Sequence, residues 1–161
     1  MLTYDAITRK LITPGEAENL FTPAFRKRSK IIFTNGCFDL LHRGHIYFLS
    51  RAGEMGDLLV VGLNSDSSVS RLKGEGRPVN DQQARAEVLG ALGMVDYIIL
   101  FEEDTPLNLI RTIRPDVLVK GGDYNVKEIV GYKEVTSRGG KVVTIPLLEG
   151  YSTTSLLGRQ Y

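Results

Sequence analysis

Residues 30–45 read KIIFTNGCFDLLHRGH, and this stretch decides the fold. Its first third, KIIFT (30–34), is an apolar β-branched and aromatic run with no polar alternation, the pattern of a strand buried on both faces. Asn35-Gly36 breaks that run with a turn pair able to take positive φ. Past His42-Arg43-Gly44-His45 the periodicity changes, with apolar residues at 46, 48, 49 and 52 marking a helix from His45 to Ala52. The unit is therefore strand, turn and helix, and it holds both histidines of the chain.

The same unit recurs downstream. Further unalternated apolar runs are DLLVVGLN (57–64), VDYIILF (95–101), DVLVKG (116–121) and KVVTIPL (141–147). Helical stretches fall between them: Asn80-Asp81 opens one that runs to Leu92, Thr105-Pro106 opens one to Ile113, and 127–137 is a weaker candidate. Thr153 or Thr154 caps a last short helix. Repeated strand–helix–strand units predict a single α/β, Rossmann-like domain over 1–161: a five-stranded parallel sheet over 30–161 with helices on both faces. Residues 1–29 read as a lead-in with one helix, in which Thr13-Pro14-Gly15-Glu16 has the form of a capping box. The basic segment 26–30, RKRSK, reads as a solvated connection.

Composition narrows the function. The chain has 161 residues, 20 Lys plus Arg against 19 Asp plus Glu, and a net charge of +1, which argues against binding nucleic acid through bulk charge. No apolar run approaches the roughly 18 residues of a membrane span. The N-terminus lacks a secretory pattern, and the single cysteine, Cys37, has no internal partner, so a cytoplasmic location is expected.

In parallel α/β sheets ligands sit beyond the carboxyl ends of the strands, which directs attention to the loops 34–44, 64–80, 101–105, 120–127 and 147–154. In the first, free N–H groups at a helix N-terminus form an anion site, Gly44 admits a phosphate, and His42 and His45 add donors. Two other readings compete: zinc ligation, although no Cys cluster or carboxylate set completes a tetrahedral site, and simple capping. Neither GxxxxGK[ST] nor a GxGxxG after the first strand occurs. Loop 64–80, polar and glycine-bearing, holds Arg71, Lys73 and Arg77 and is expected to be mobile. Arg85 sits one turn into the next helix, where it either reaches the substrate or lies exposed. Lys120-Gly121-Gly122-Asp123 and the run Gly150 to Thr154 add close backbone approach and hydroxyl donors.

Four segments, TNGCFDLLHRGH (34–45), RLKGEGRPVN (71–80), VKGGDY (119–124) and EGYSTT (149–154), together resemble the HxGH nucleotidyltransferase superfamily over residues 10 to 158. The likeness is greatest to its ADP-heptose-forming adenylyltransferases, and even the lead-in KLITPGEA (10–17) fits that branch. The resemblance implies transfer of AMP from ATP to D-glycero-β-D-manno-heptose 1-phosphate, giving ADP-heptose and pyrophosphate for lipopolysaccharide inner-core synthesis. It implies Mg²⁺ accompanying ATP, a homo-oligomer, and a stand-alone form served by a separate kinase and phosphatase. It also implies roles. His42, His45 and Lys73 would act on the reacting phosphates. Thr34, Asn35, Gly36, Cys37 and Phe38, with Gly44, would line the nucleotide. Gly121, Gly122 and Asp123 would border base and ribose, and Ser152, Thr153 and Thr154 would hold the triphosphate. Asp39 would hydrogen-bond sugar hydroxyls, and Lys73, Arg77 and Arg85 would join it in binding the sugar phosphate. Two positions depart from the pattern. Pro146-Leu147-Leu148 stands where glycerol-phosphate cytidylyltransferases place an arginine, and Tyr151 replaces a small or aliphatic residue. A transferase for another alcohol phosphate and a non-catalytic nucleotide-binding module are the competing readings.

Overall fold

The computed structural model describes residues 1–158, without the side chains of Thr154 and Ser155. Three short helices come first, α1 (Tyr4–Thr8), α2 (Pro14–Leu20) and α3 (Pro23–Arg26). The single helix expected in the lead-in is therefore divided, because Thr13 and Thr22 each cap a fresh start ahead of a proline. The capping box at Thr13 and Glu16 is present. The alternating core follows: β1 (Ile31–Gly36), α4 (Arg43–Gly53), β2 (Leu58–Asn64), α5 (Asp66–Lys73), α6 (Gln82–Gly90), β3 (Tyr97–Phe101), α7 (Leu107–Ile113), β4 (Val117–Gly121), a 3-10 turn (Val126–Glu128), α8 (Tyr132–Thr136), β5 (Lys141–Ile145) and α9 (Thr153–Leu157).

Two stretches differ from the sequence reading. The segment 64–80 is not wholly a loop, since its first half is α5. Ser65 caps this helix by accepting from Ser68 N, Asp66 sits in the first turn, and Val69 is its buried anchor. Three serines in eight residues hide the helix from propensity, because serine favours turns unless a cap and a packing contact hold it. The expected helix over 127–137 splits at Gly131, whose φ is +92° and whose Cβ, if present, would lie 2.6 Å from the Ile110 side chain.

The sheet is parallel throughout, in the order β3-β2-β1-β4-β5. Burial on both faces explains the unalternated runs. Ile31, Phe33 and Val60 pack with Phe21, Leu109 and Ile110 on one side, while Ile32, Leu59 and Val61 pack with Leu49, Ala52 and Leu89 on the other. An aspartate just ahead of a strand, or at its foot, braces its neighbour three times. Asp57, Asp96 and Asp116 accept from the N–H groups of Lys30, Leu59 and Ile31 at 2.7, 2.7 and 2.8 Å. The edge strand β3 is covered by the lead-in, where Ile98 N donates to Lys10 O (2.8 Å) and Ile12 N to Ile98 O (3.0 Å). Among the described residues no helix is long and apolar enough to cross a membrane.

Strand order reverses between β1 and β4. There β1 pairs with β2 along its whole length, from Ile31↔Leu58 to Gly36↔Leu63, but with β4 only at Ile32↔Val117 and Phe33↔Leu118. Beyond these pairs the two strands part, and the crevice so opened holds the candidate site.

Candidate active site

The histidines sit where β1 hands over to α4. Phe38 takes φ +45°, a conformation a bulky residue rarely adopts, and its buried ring lies 5.3 Å from that of His45. His42 is the N-cap of α4, and its Nδ1 accepts from Gly44 N at 3.1 Å. His45 reaches back, its Nδ1 accepting from His42 N at 3.3 Å. Both Nδ1 atoms therefore lack a proton, and the hydrogen-bond pattern assigns the N–H of each ring to Nε2. Gly44 is required by this fold-back, since a Cβ there would stand 2.9 Å from the His42 ring. Burial pushes the His42 pKa down; burial and then the neighbouring His42 charge push His45 down to about 4. The capping and phosphate readings are thus compatible. Each ring caps the helix through one nitrogen and keeps a neutral N–H donor on the other.

Around this pair, Asp39 fastens the segment after α5. Its carboxylate accepts from Val79 N and Asn80 N, both at 2.9 Å, and from Arg77 Nε at 2.7 Å. Burial alone would raise its pKa, but the Asn80 and Val79 N–H groups and Arg77 outweigh it and hold the carboxyl below the usual range. Asp39 borders the larger cavity, and its carboxylate clamps the loop 77–80 beneath it.

Arg85 departs from both expectations. It is 2% exposed, and it donates to the carbonyls of Cys37 (2.7 Å), Asn64 (2.8 Å) and Asn80 (3.0 Å) and to Asp66 Oδ1 (2.7 Å). It is a strut beneath the site and has no face toward substrate. One turn of helix separates it from Asp81, and sequence spacing does not reveal which side of α6 meets the sheet. Thr34 is also fully buried and lines neither cavity described below; among the described residues its hydroxyl has no hydrogen-bond partner.

Two cavities adjoin over the crevice. The larger, about 590 Å³, is walled by polar groups including Asp39, Asn64, Lys73, Arg77 and Asp104. The smaller, about 360 Å³, has an apolar wall of Phe48, Leu147 and Leu148 facing His42, Gly44 and Ser152. Asn35, Gly36, Cys37, Phe38, His45, Lys73, Lys120, Tyr124 and Thr153 line both. Gly121 borders the smaller cavity, whereas Gly122 and Asp123 border neither. The side chain of Thr154 lies outside the described residues. Burial pushes the Cys37 thiol up against the pull of the Lys73, Arg85 and Arg77 charges, so it stays protonated and contributes backbone. Tyr151 ties the last loop to α4, its hydroxyl accepting from Arg43 Nη1 at 3.1 Å.

Of the other lining residues, the sequence marks Lys120 only as part of the Lys120-Gly121-Gly122-Asp123 turn, and Asn64 and Asp104 only as members of loops. A lysine closing the apolar run VLVK was the available signal for the first, because a cation at the carboxyl end of a buried strand faces the ligand side of such a sheet.

The cytidylyltransferase-like family profile matches residues 33–159. The bifunctional protein HldE of Nitrobacter hamburgensis is 62% identical over 130 residues, 81% of this chain and 27% of that protein. The HldE of Campylobacter concisus is 56% identical over 150 residues, 93% of this chain and 30% of that protein. The chain thus spans less than a third of these curated relatives. Among solved structures, a lipopolysaccharide core biosynthesis protein from Thermoplasma volcanium superposes with a TM-score of 0.62 at 27% identity, over 77% of this chain and 99% of that one. Pantothenate synthetase from Thermus thermophilus shares the fold, with a TM-score of 0.60 at 16% identity over 86% of this chain and 62% of its own. With the profile covering most of the chain, and the HxGH histidines capping a helix at the carboxyl edge of a parallel sheet, this chain belongs to the cytidylyltransferase-like family of nucleotidyltransferases.

Proposed function

We propose that the domain transfers AMP from ATP to D-glycero-β-D-manno-heptose 1-phosphate, releasing pyrophosphate and forming ADP-heptose. The observation that carries this reading is the junction of two unlike cavities. One has an apolar wall suited to a base and a helix N-terminus suited to phosphates; the other adds Arg77, Asn64 and Asp39, polar groups suited to a sugar phosphate. His45 and Lys73 stand where the two meet. The likeness to HldE proteins and to a lipopolysaccharide core biosynthesis protein supports heptose as the sugar.

The acceptor phosphate is already ionised near pH 7, its second pKa being about 6, so no strong base is needed. Catalysis is positioning plus charge stabilisation, with the Nε2–H groups of His42 and His45 and the ammonium of Lys73 as donors. Leu147 and Leu148, in place of an arginine, give the base an apolar wall. Among the described residues no group of three or more His, Cys, Asp or Glu gathers to hold a metal. Mg²⁺ carried on the triphosphate of ATP would supply charge neutralisation, beside the donors of His42, His45 and Lys73. The reading carries with it a cytoplasmic location, and a kinase and phosphatase acting earlier to supply the sugar phosphate.

The test is pyrophosphate release with Mg²⁺, crossing ATP, CTP, GTP and UTP with both anomers of the heptose 1-phosphate and with glycerol 3-phosphate. Turnover with ATP and the β anomer is expected; turnover only with CTP and glycerol 3-phosphate would replace the assignment. His45→Ala should lower kcat about a hundredfold or more, since one such donor is worth about 2.7–4 kcal/mol. A change of a few-fold would remove His45 from the chemistry.

A further inference from the structure

Lys120 is the last but one residue of β4, on the strand that parts from β1. It is half-buried, and its Nζ donates to Asn35 Oδ1 across the gap at 2.9 Å. That partner is neutral, and among the described residues no carboxylate forms an ion pair with Lys120. A half-buried ammonium holding only an amide oxygen lacks a counter-charge and keeps two N–H donors free. Burial lowers its pKa, with the Cys37 thiol pulling the other way. The same side chain lines both cavities. Lys73 does so too, but from the exposed last turn of α5, whereas Lys120 is held by the sheet and by Asn35.

We propose that Lys120 is a catalytic residue whose ammonium binds a non-bridging oxygen of the α-phosphate at the junction of the two cavities. This rests on the reaction proposed above. In that reaction an oxygen of the acceptor phosphate forms a bond to the α-phosphorus while the bond from that phosphorus to the oxygen bridging the β-phosphate breaks. The electron pair leaves with pyrophosphate. The reacting phosphorus must lie where the two substrates meet, and charge on its non-bridging oxygens is met there by a cation placed in advance. The splay of β1 from β4 provides that place, because beyond Phe33↔Leu118 the two strands no longer pair with each other while β2 and β5 hold each from its other side.

The experiment compares the wild-type chain with Lys120→Met and Lys120→Arg, using ATP and the two α-thio diastereomers of ATP, each with the heptose phosphate. In Lys120→Met we expect kcat to fall about a hundredfold with the dissociation constant for ATP changed no more than about threefold. The rate ratio between the two diastereomers should narrow about tenfold, because the group that tells the two oxygens apart is gone. Lys120→Arg, which keeps the charge, should recover much of the loss. Melting curves report whether each variant is folded, and Lys120→Arg carries the test should Lys120→Met unfold: its diastereomer ratio should also shift, since the cation is displaced. An unchanged ratio in a folded variant, or a loss explained entirely by weaker ATP binding, overturns the assignment while wild-type turnover leaves the reaction standing. Absence of wild-type turnover with ATP overturns both.

Discussion

At neutral pH His45 is an uncharged imidazole whose Nδ1 accepts from one backbone N–H and whose own Nε2–H is left for the cavities. Its pKa falls from 6.5 to about 4 on folding, through burial first and the His42 charge second. As pH drops below 6.5 the unfolded imidazole takes up its proton while the folded one does not. Acid therefore favours the unfolded chain. The contribution of His45 to stability is complete above about pH 6.5 and is lost as pH falls toward 4. An NMR titration should place the His45 midpoint near 4, and urea unfolding should show lower stability at pH 5 than at pH 7, with the decline flattened in His45→Gln. A midpoint near 6.5 would contradict the burial of this ring. The spacing of His42 and His45 was legible in the sequence; their tautomers were not. These depend on which backbone N–H each ring meets, and that is a matter of the φ of Phe38 and the bare Cα of Gly44.

Between elements, Arg85 is a buried tie. It joins the loop after β1, the end of β2, the first turn of α5 and the approach to α6 by four hydrogen bonds. Arg85→Met keeps the length but leaves buried carbonyls of Cys37 and Asn64 unpaired. Denaturant unfolding should show a loss of about 3 kcal/mol or more, since stranding buried partners of a charged group is among the costlier changes. A loss below about 1 kcal/mol would mean that water replaces the guanidinium. Helix α5 shows how an element escapes a sequence reading. Its Ser-rich run scores as a turn, and only the Ser65 cap and the contact of Val69 with the core settle it as helix. Its consequence is functional, for it carries Lys73 at its end and leaves only 74–80 as the loop that Asp39 clamps.

For the molecule as a whole, the lead-in belongs to the fold. Residues 10–12 bond to β3, the edge of the sheet. Uncovered, that edge would present unpaired N–H and C=O groups to another chain. Removing residues 1–12 should lower the melting temperature and produce association that grows with protein concentration, measured by light scattering. A truncated chain with the same association state and stability as the intact one would show the cover to be dispensable. The site, by contrast, lies at the far end of the sheet, built by the reversal of strand order between β1 and β4. Its two cavities exist because those strands share only two register pairs.

The sequence alone determined the parallel α/β class, the strand positions to within two residues, the loops that bear the cavities, and the place of the HxGH turn at the start of a helix. These follow from local periodicity and from residue types whose backbone demands are short-range. Only the tertiary structure decided that Arg85 is a buried strut, that Asp39 is a clamp, and that Lys120 stands in both cavities. Each of these depends on which partner lies across a gap of many residues, 48 between Arg85 and Cys37 and 85 between Lys120 and Asn35, and no spacing along one chain encodes that.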